Sequence, residues 1–196
     1  MRSRATTKAT WSRSRSSDPV LPDGLRNIAL TGFMAVGKTV VGRRLARRLK
    51  WRFVDLDRVI EEAEGMKVQE IFGRKGEAFF RELEKQKLSK VLCRERQVIA
   101  TGGGAVLDEG NLRLLKEKSL LICLTATPET LLRRSGGGKG RPLLEGGERE
   151  RRIGELLSQR GKSYAQAHAS IATGSLTVDQ VVDKVIEALA TVKTGG

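Results

Sequence analysis

The sequence predicts an α/β fold: a central five-stranded parallel sheet flanked by helices, in three layers and one domain. Two observations predict it. After Gly24, short apolar runs alternate with longer segments of helical period, the order that builds parallel sheets. Charged residues interleave with apolar ones along all 196 residues, and no apolar run approaches the ~18–20 residues that would cross a bilayer.

The elements follow in order. "NIALTGF" is a strand, and residues 38–50 form a helix with Val41, Leu45, Ala46 and Leu49 on one face. "WRFVDL" is the second strand, followed by helices near 56–64, 68–73 and 76–93. "QVIAT" is the third strand and runs into Gly102-Gly103-Gly104. A helix over 108–117, the strand "SLLICLT" and a helix over 128–134 come next. Residues 135–147, "SGGGKGRPLLEGG", hold too many glycines for a regular element and read as a mobile loop between helices. Helix 148–163, a short strand at 170–172 and a helix over 177–192 complete the domain, the last with Val178, Val182, Val185 and Leu189 as its core stripe.

The net charge of +14 fits a nucleic-acid binder, a membrane-surface binder, a protein with anionic ligands, or a basic solvated surface without a partner. Aromatic residues are only 4% of the chain, so the stacking platforms of a single-strand binder are missing. Cys93 and Cys123 lack metal spacing and read as reduced thiols. His168 is the sole histidine, which removes any histidine metal cluster and leaves it a solvated or structural role. Residues 1–24 form a basic leader rich in Arg, Ser and Thr without the apolar core of a secretory signal; an organelle transit peptide would share this composition. Residues 25–196 form the domain, expected to be a cytoplasmic monomer.

Gly32 to Thr39, "GFMAVGKT", fits GxxxxGK[ST] with a strand before it and a helix after it. In such a loop successive N–H groups converge on phosphate oxygens, and the helix N-terminus adds its partial positive charge. Ala35, Val36, Gly37, Lys38, Thr39 and Val40 are the candidate ATP contacts, with Lys38 reaching the β- and γ-phosphates and Thr39 ligating Mg²⁺. Among the strands, only "WRFVDLD" ends in aspartate, which disfavours motor-type ATPases and translation GTPases and favours a small-metabolite kinase. One residue apart at a strand end, Asp55 and Asp57 can divide two tasks: one serves the Mg²⁺ shell, the other faces the acceptor. Either could instead be a helix N-cap.

Six separated motifs together resemble the shikimate kinase family over residues 26–190. They are Gly32-Phe33-Met34, Asp55-Leu56-Asp57, Ile71-Phe72 with Gly76-Glu77, Phe80-Arg81 and Glu84, then Thr101 to Gly104, Arg141 to Leu144, and Arg160 with Tyr164. The resemblance implies a three-layer P-loop kinase fold with a mobile lid over 135–147 and a substrate-binding helical segment over 56–93. It implies transfer of the ATP γ-phosphoryl group to shikimate, a step toward chorismate and aromatic amino acids. On that basis Asp57 is the base and binds the acceptor hydroxyls, Asp55 holds Mg²⁺ through water, and Arg81 and Arg160 clamp the acceptor carboxylate.

Glu84 would fix an arginine's orientation, and Gly102, Gly103 and Gly104 would bring backbone N–H groups against the ring. Phe72 and Phe80 would wall the ring, or serve as core. Arg141 would close over the phosphates as a catalytic group, and Arg134 would lie against adenine. Closing only over bound acceptor would keep ATP from hydrolysis.

The chain departs from the family pattern at Ala35 and Val36, where glycine and a small polar residue are common; both keep the backbone N–H groups. "YAQAHASIAT" has Ala169 and Ala172 where aspartates are common, which bears on the adenine-side loop near 173–176. Two alternatives remain at this point: a P-loop kinase of another hydroxy acid such as gluconate, and a non-catalytic nucleic-acid-binding module.

Overall fold

The computed structural model describes residues 21, 25–135 and 149–191. The basic leader other than Leu21, Arg141, and the loop expected over 135–147 other than Ser135, lie outside the described residues. Five strands, β1 (Asn27–Thr31), β2 (Arg52–Asp55), β3 (Gln97–Ala100), β4 (Ser119–Thr125) and β5 (Ala169–Ala172), form one parallel sheet in the order β2-β3-β1-β4-β5. The described helices are α1 (Lys38–Leu49), α2 (Leu56–Glu64), α3 (Val68–Leu92), α4 (Glu109–Lys118), α5 (Pro128–Arg134), α6 (Arg149–Tyr164) and α7 (Val178–Thr191). A short 3-10 turn, Ala105–Leu107, follows the triple glycine and was not foreseen from sequence.

Strand side chains alternate between the two faces, and both faces are covered. Ile28, Leu30, Leu120, Ile122 and Leu124 pack with Leu45 of α1, Leu131 of α5, Ile153 of α6 and Val182 of α7. Ala29, Ile99, Leu121 and Cys123 pack with Ile60 of α2, Leu83 and Leu88 of α3, and Leu115 of α4. That double burial is why β1 and β4 read as continuous apolar runs rather than alternating ones.

Two details differ from the sequence expectation. The helical segment over 68–92 continues through Gly73 and is interrupted only at Gly76, whose φ of 81° and ψ of 170° are non-helical. Val178 is exposed at the first turn of α7, and Val181 joins Val182, Val185 and Leu189 in the core instead. Leu49, at the last position of α1, is partly buried and packs against the same cluster as Val41, Leu45 and Ala46, as expected. From central β1 the chain places β3 and β2 on one side and β4 and β5 on the other. The crevice at the carboxyl ends of these strands is where such sheets hold ligands.

Candidate active site

A cavity of about 590 Å³ opens at that edge. Each wall comes from a different strand end or helix. The loop from β1 to α1 needs left-handed backbone at three positions: Gly32 (φ 127°), Ala35 (φ 63°) and Gly37 (φ 108°). A Cβ at Gly32 would fall on the Leu124 carbonyl oxygen, so only glycine fits there. Ala35 holds a conformation that glycine adopts freely, at a cost of about 1–2 kcal/mol. Gly37 is the N-cap of α1, and the first turn carries neither a side-chain cap nor an acid, leaving its N–H groups and positive end available to an anion. Lys38 Nζ folds back across the loop and donates to the carbonyls of Gly32 (2.7 Å) and Phe33 (3.0 Å).

Ala35, Gly37, Lys38, Thr39 and Val40 line the cavity. Val36 does not; its side chain is buried in the core. Thr39 Oγ1 donates to Asp55 Oδ2 at 2.8 Å, bringing together the two residues expected at the metal. Asp55 occupies the N-cap position of α2, yet its side chain makes no capping bond. Asp57 stands two residues further, in the first turn of α2, and its Oδ1 is buried without a hydrogen-bond partner. Burial, and then the Asp55 charge, push the Asp57 carboxyl above its ordinary range, against the pull of Lys38.

The far wall is built by α3, the triple glycine and α6. After the break at Gly76, α3 presents Arg81 and Glu84 one turn apart: Arg81 Nη1 donates to Glu84 Oε2 at 2.7 Å and Nη2 to Glu77 Oε1 at 2.9 Å. Glu84 is fully buried and its second oxygen, Oε1, has no partner; burial pushes its carboxyl up while Arg81 opposes. Cβ atoms would collide at two of the three glycines. At Gly102 one would meet Glu84 Oε1 and lie 3.1 Å from Asp57 Oδ1; at Gly104 one would lie 2.5 Å from Arg81 Nη2. The Gly103 carbonyl accepts from Tyr164 Oη at 2.6 Å and Arg160 Nη1 at 3.4 Å, which fixes the turn's orientation. Arg160 is only 4% exposed and its guanidinium carbon lies 5.7 Å from the Phe33 ring centroid.

The cavity therefore gathers Lys38, Thr39, Asp55, Asp57, Arg81, Gly102–Gly104, Arg134 and Arg160. A profile of the family described as shikimate kinase matches residues 34–190. The chain belongs to the shikimate kinase family. Its relatives include the shikimate kinase of Pelotomaculum thermopropionicum, 47% identical over 84% of this chain and 96% of that protein. That of Moorella thermoacetica is 48% identical over 83% of this chain and 94% of its own length. The solved shikimate kinase from Acinetobacter baumannii in complex with shikimate superimposes with a TM-score of 0.83 at 35% identity, covering 87% of this chain and 96% of that one. A gluconokinase from Sinorhizobium meliloti shares the fold alone, with 15% identity and a TM-score of 0.51.

Several residues escaped the sequence reading. Arg58 and Glu61 line the cavity mouth; Glu61 accepts from Lys67 Nζ and from the Val68 N–H. As α2 residues one turn apart beside Asp57, they could have been placed there by helical spacing. Thr173 lies in the loop that the resemblance set beside adenine, near 173–176, but its hydroxyl, which touches three segments, was not singled out there. Cys123 is a buried strand thiol, pushed up to about 11 by burial, in keeping with a reduced core residue. No described helix is long and apolar enough to cross a membrane.

Proposed function

We propose that this chain transfers the γ-phosphoryl group of ATP to the 3-hydroxyl of shikimate. One observation carries the reading. Two guanidiniums, Arg81 and Arg160, and a buried, unpartnered carboxylate oxygen of Asp57 face the same cavity as a P-loop. A carboxylate with hydroxyls on a ring satisfies all three: the forks grip the acid end, and the orphan oxygen accepts from an alcohol. Asp57 takes the hydroxyl proton as the oxygen attacks in line, and Lys38 leaves the loop carbonyls for the β- and γ-phosphates. Arg141 is assigned to the transferring charge by motif alone, and residues 135–147 to the lid.

The donor set at Thr39 and Asp55 suits Mg²⁺: two hard oxygens 2.8 Å apart, too few for an all-protein cage, leave the rest of the shell to phosphates and water. When bound there, the ion would neutralise phosphate charge. Residues 25–196 are the kinase domain acting as a cytoplasmic monomer, with 56–93 contributing the acceptor side and 1–24 lying outside the reaction.

The test is turnover over a panel of hydroxy acids that includes shikimate and gluconate, with the product's phosphate located by NMR. Phosphate on the shikimate 3-oxygen is expected; turnover of gluconate with shikimate inert would reject the proposal.

A further inference from the structure

Thr173 follows β5, is 2% exposed, and has no part in the reaction above. Its Oγ1 accepts from Arg134 Nη1 at 3.0 Å and lies 3.2 Å from the Val36 carbonyl oxygen and 3.1 Å from that of Thr125. A hydroxyl has one hydrogen and two lone pairs, so a lone pair takes the guanidinium while the hydrogen is shared by the two carbonyls. The backbone repeats the tie: Thr173 N donates to Thr125 O at 2.8 Å, and Thr173 O accepts from Arg134 Nη2 at 2.9 Å. Three segments thus meet at one side chain: the phosphate loop, the end of β4 and the end of α5.

Arg134 lines the cavity, and its two terminal nitrogens are engaged by Thr173 and by the Gly174 carbonyl at 3.4 Å. A guanidinium held by its edge presents its flat face, the surface that stacks on an aromatic ring. The link uses a hydroxyl and main-chain carbonyls, so it does not depend on an acid at Ala169 or Ala172.

We propose that Thr173 is a positioning residue of the nucleotide subsite, holding Arg134 edge-on and coupling it to the phosphate loop so that base and phosphates are gripped in one geometry. This deepens the kinase reading of the cavity and rests on it. Thr173→Val keeps the shape and removes the hydroxyl; Thr173→Ser restores it. Mg·ADP is titrated calorimetrically into the full chain without acceptor, and steady-state kinetics follow. In Thr173→Val, the ADP Kd and the ATP KM rise about tenfold, the loss of one buried hydrogen bond to a charged group. The kcat and the acceptor KM stay within twofold, and serine returns the nucleotide constants to within twofold. Adding Thr173→Val to Arg134→Ala costs no further nucleotide affinity.

Unchanged nucleotide affinity in Thr173→Val overturns the proposal. So do a joint loss of kcat and acceptor KM that serine fails to rescue, and additive losses in the double variant. If the valine variant does not fold, Thr173→Ala carries the same outcomes, and the serine variant with normal nucleotide affinity is required in either case. The ADP titration contains no acceptor, so it is independent of shikimate; failure of the parent chain to bind Mg·ADP would refute the kinase reading itself.

Discussion

Gly104→Ala tests the proposed acceptor anchor, Arg81. Gly104 has φ −108° and ψ −2°, which alanine adopts without strain, so the added methyl acts through contact alone. It would lie 2.5 Å from Arg81 Nη2 and 2.8 Å from both Cζ and Nη1, whereas comfortable contact begins near ~3.5 Å. The guanidinium must therefore retreat by about 1 Å, and it is tied to Glu84 and Glu77 on its other side. A long side chain can yield, so the fold survives, but the fork would no longer meet a carboxylate held at the proposed acceptor site. Losing a charge-assisted pair costs about 1.5–3 kcal/mol, and a 1 Å misplacement about 10²-fold in rate, so kcat/KM for shikimate should fall ~10–100-fold. A coupled ADP-release assay at varied shikimate measures this, with calorimetry to confirm an unchanged Mg·ADP Kd. A kcat/KM within twofold of the parent would refute the placement of Arg81 at the acceptor.

Three further expectations follow from the same geometry. Asp57→Asn should lower kcat by ~10²–10⁴ while Mg·ADP binding persists, and the parent's kcat/KM should fall as pH drops through an Asp57 value raised above the usual ~3.9; full activity in the variant would refute the base assignment. His168 Nδ1 accepts from the Leu121 N–H at 2.9 Å, and burial with Lys116 lowers its pKa, so the sole imidazole should titrate by NMR below ~6.5. Its folded value lies below the unfolded one, so the stability it contributes is present above ~6.5 and is lost as pH falls through the depressed value; a midpoint at or above 6.5 contradicts this. Deleting residues 1–24 should leave kcat and both KM values within twofold, and a large loss would bring the leader into the site.

What was legible in the sequence was local or carried by motif. Doubly buried strands announce themselves as apolar runs, and the phosphate loop, the Asp55–Asp57 pair and the triple glycine each lie within a few consecutive residues. The rest depends on convergence. The unpartnered oxygens of Asp57 and Glu84 flank Gly102 only because α2, α3 and the β3 end meet there, which no spacing encodes. Gly73 and Gly76 look alike as helix breakers, yet only Gly76 takes a positive φ. Val178 kept the helical period of its neighbours but sits at the exposed first turn. Thr173 acts through carbonyls of Val36 and Thr125, groups that every residue carries.

The most direct test is ADP release by the full chain with saturating Mg·ATP, with and without shikimate. Slow background hydrolysis is expected, with a stimulation of at least ~10³-fold by shikimate, within the range that positioning and charge stabilisation supply to phosphoryl transfer. ADP release that shikimate does not accelerate would contradict this expectation.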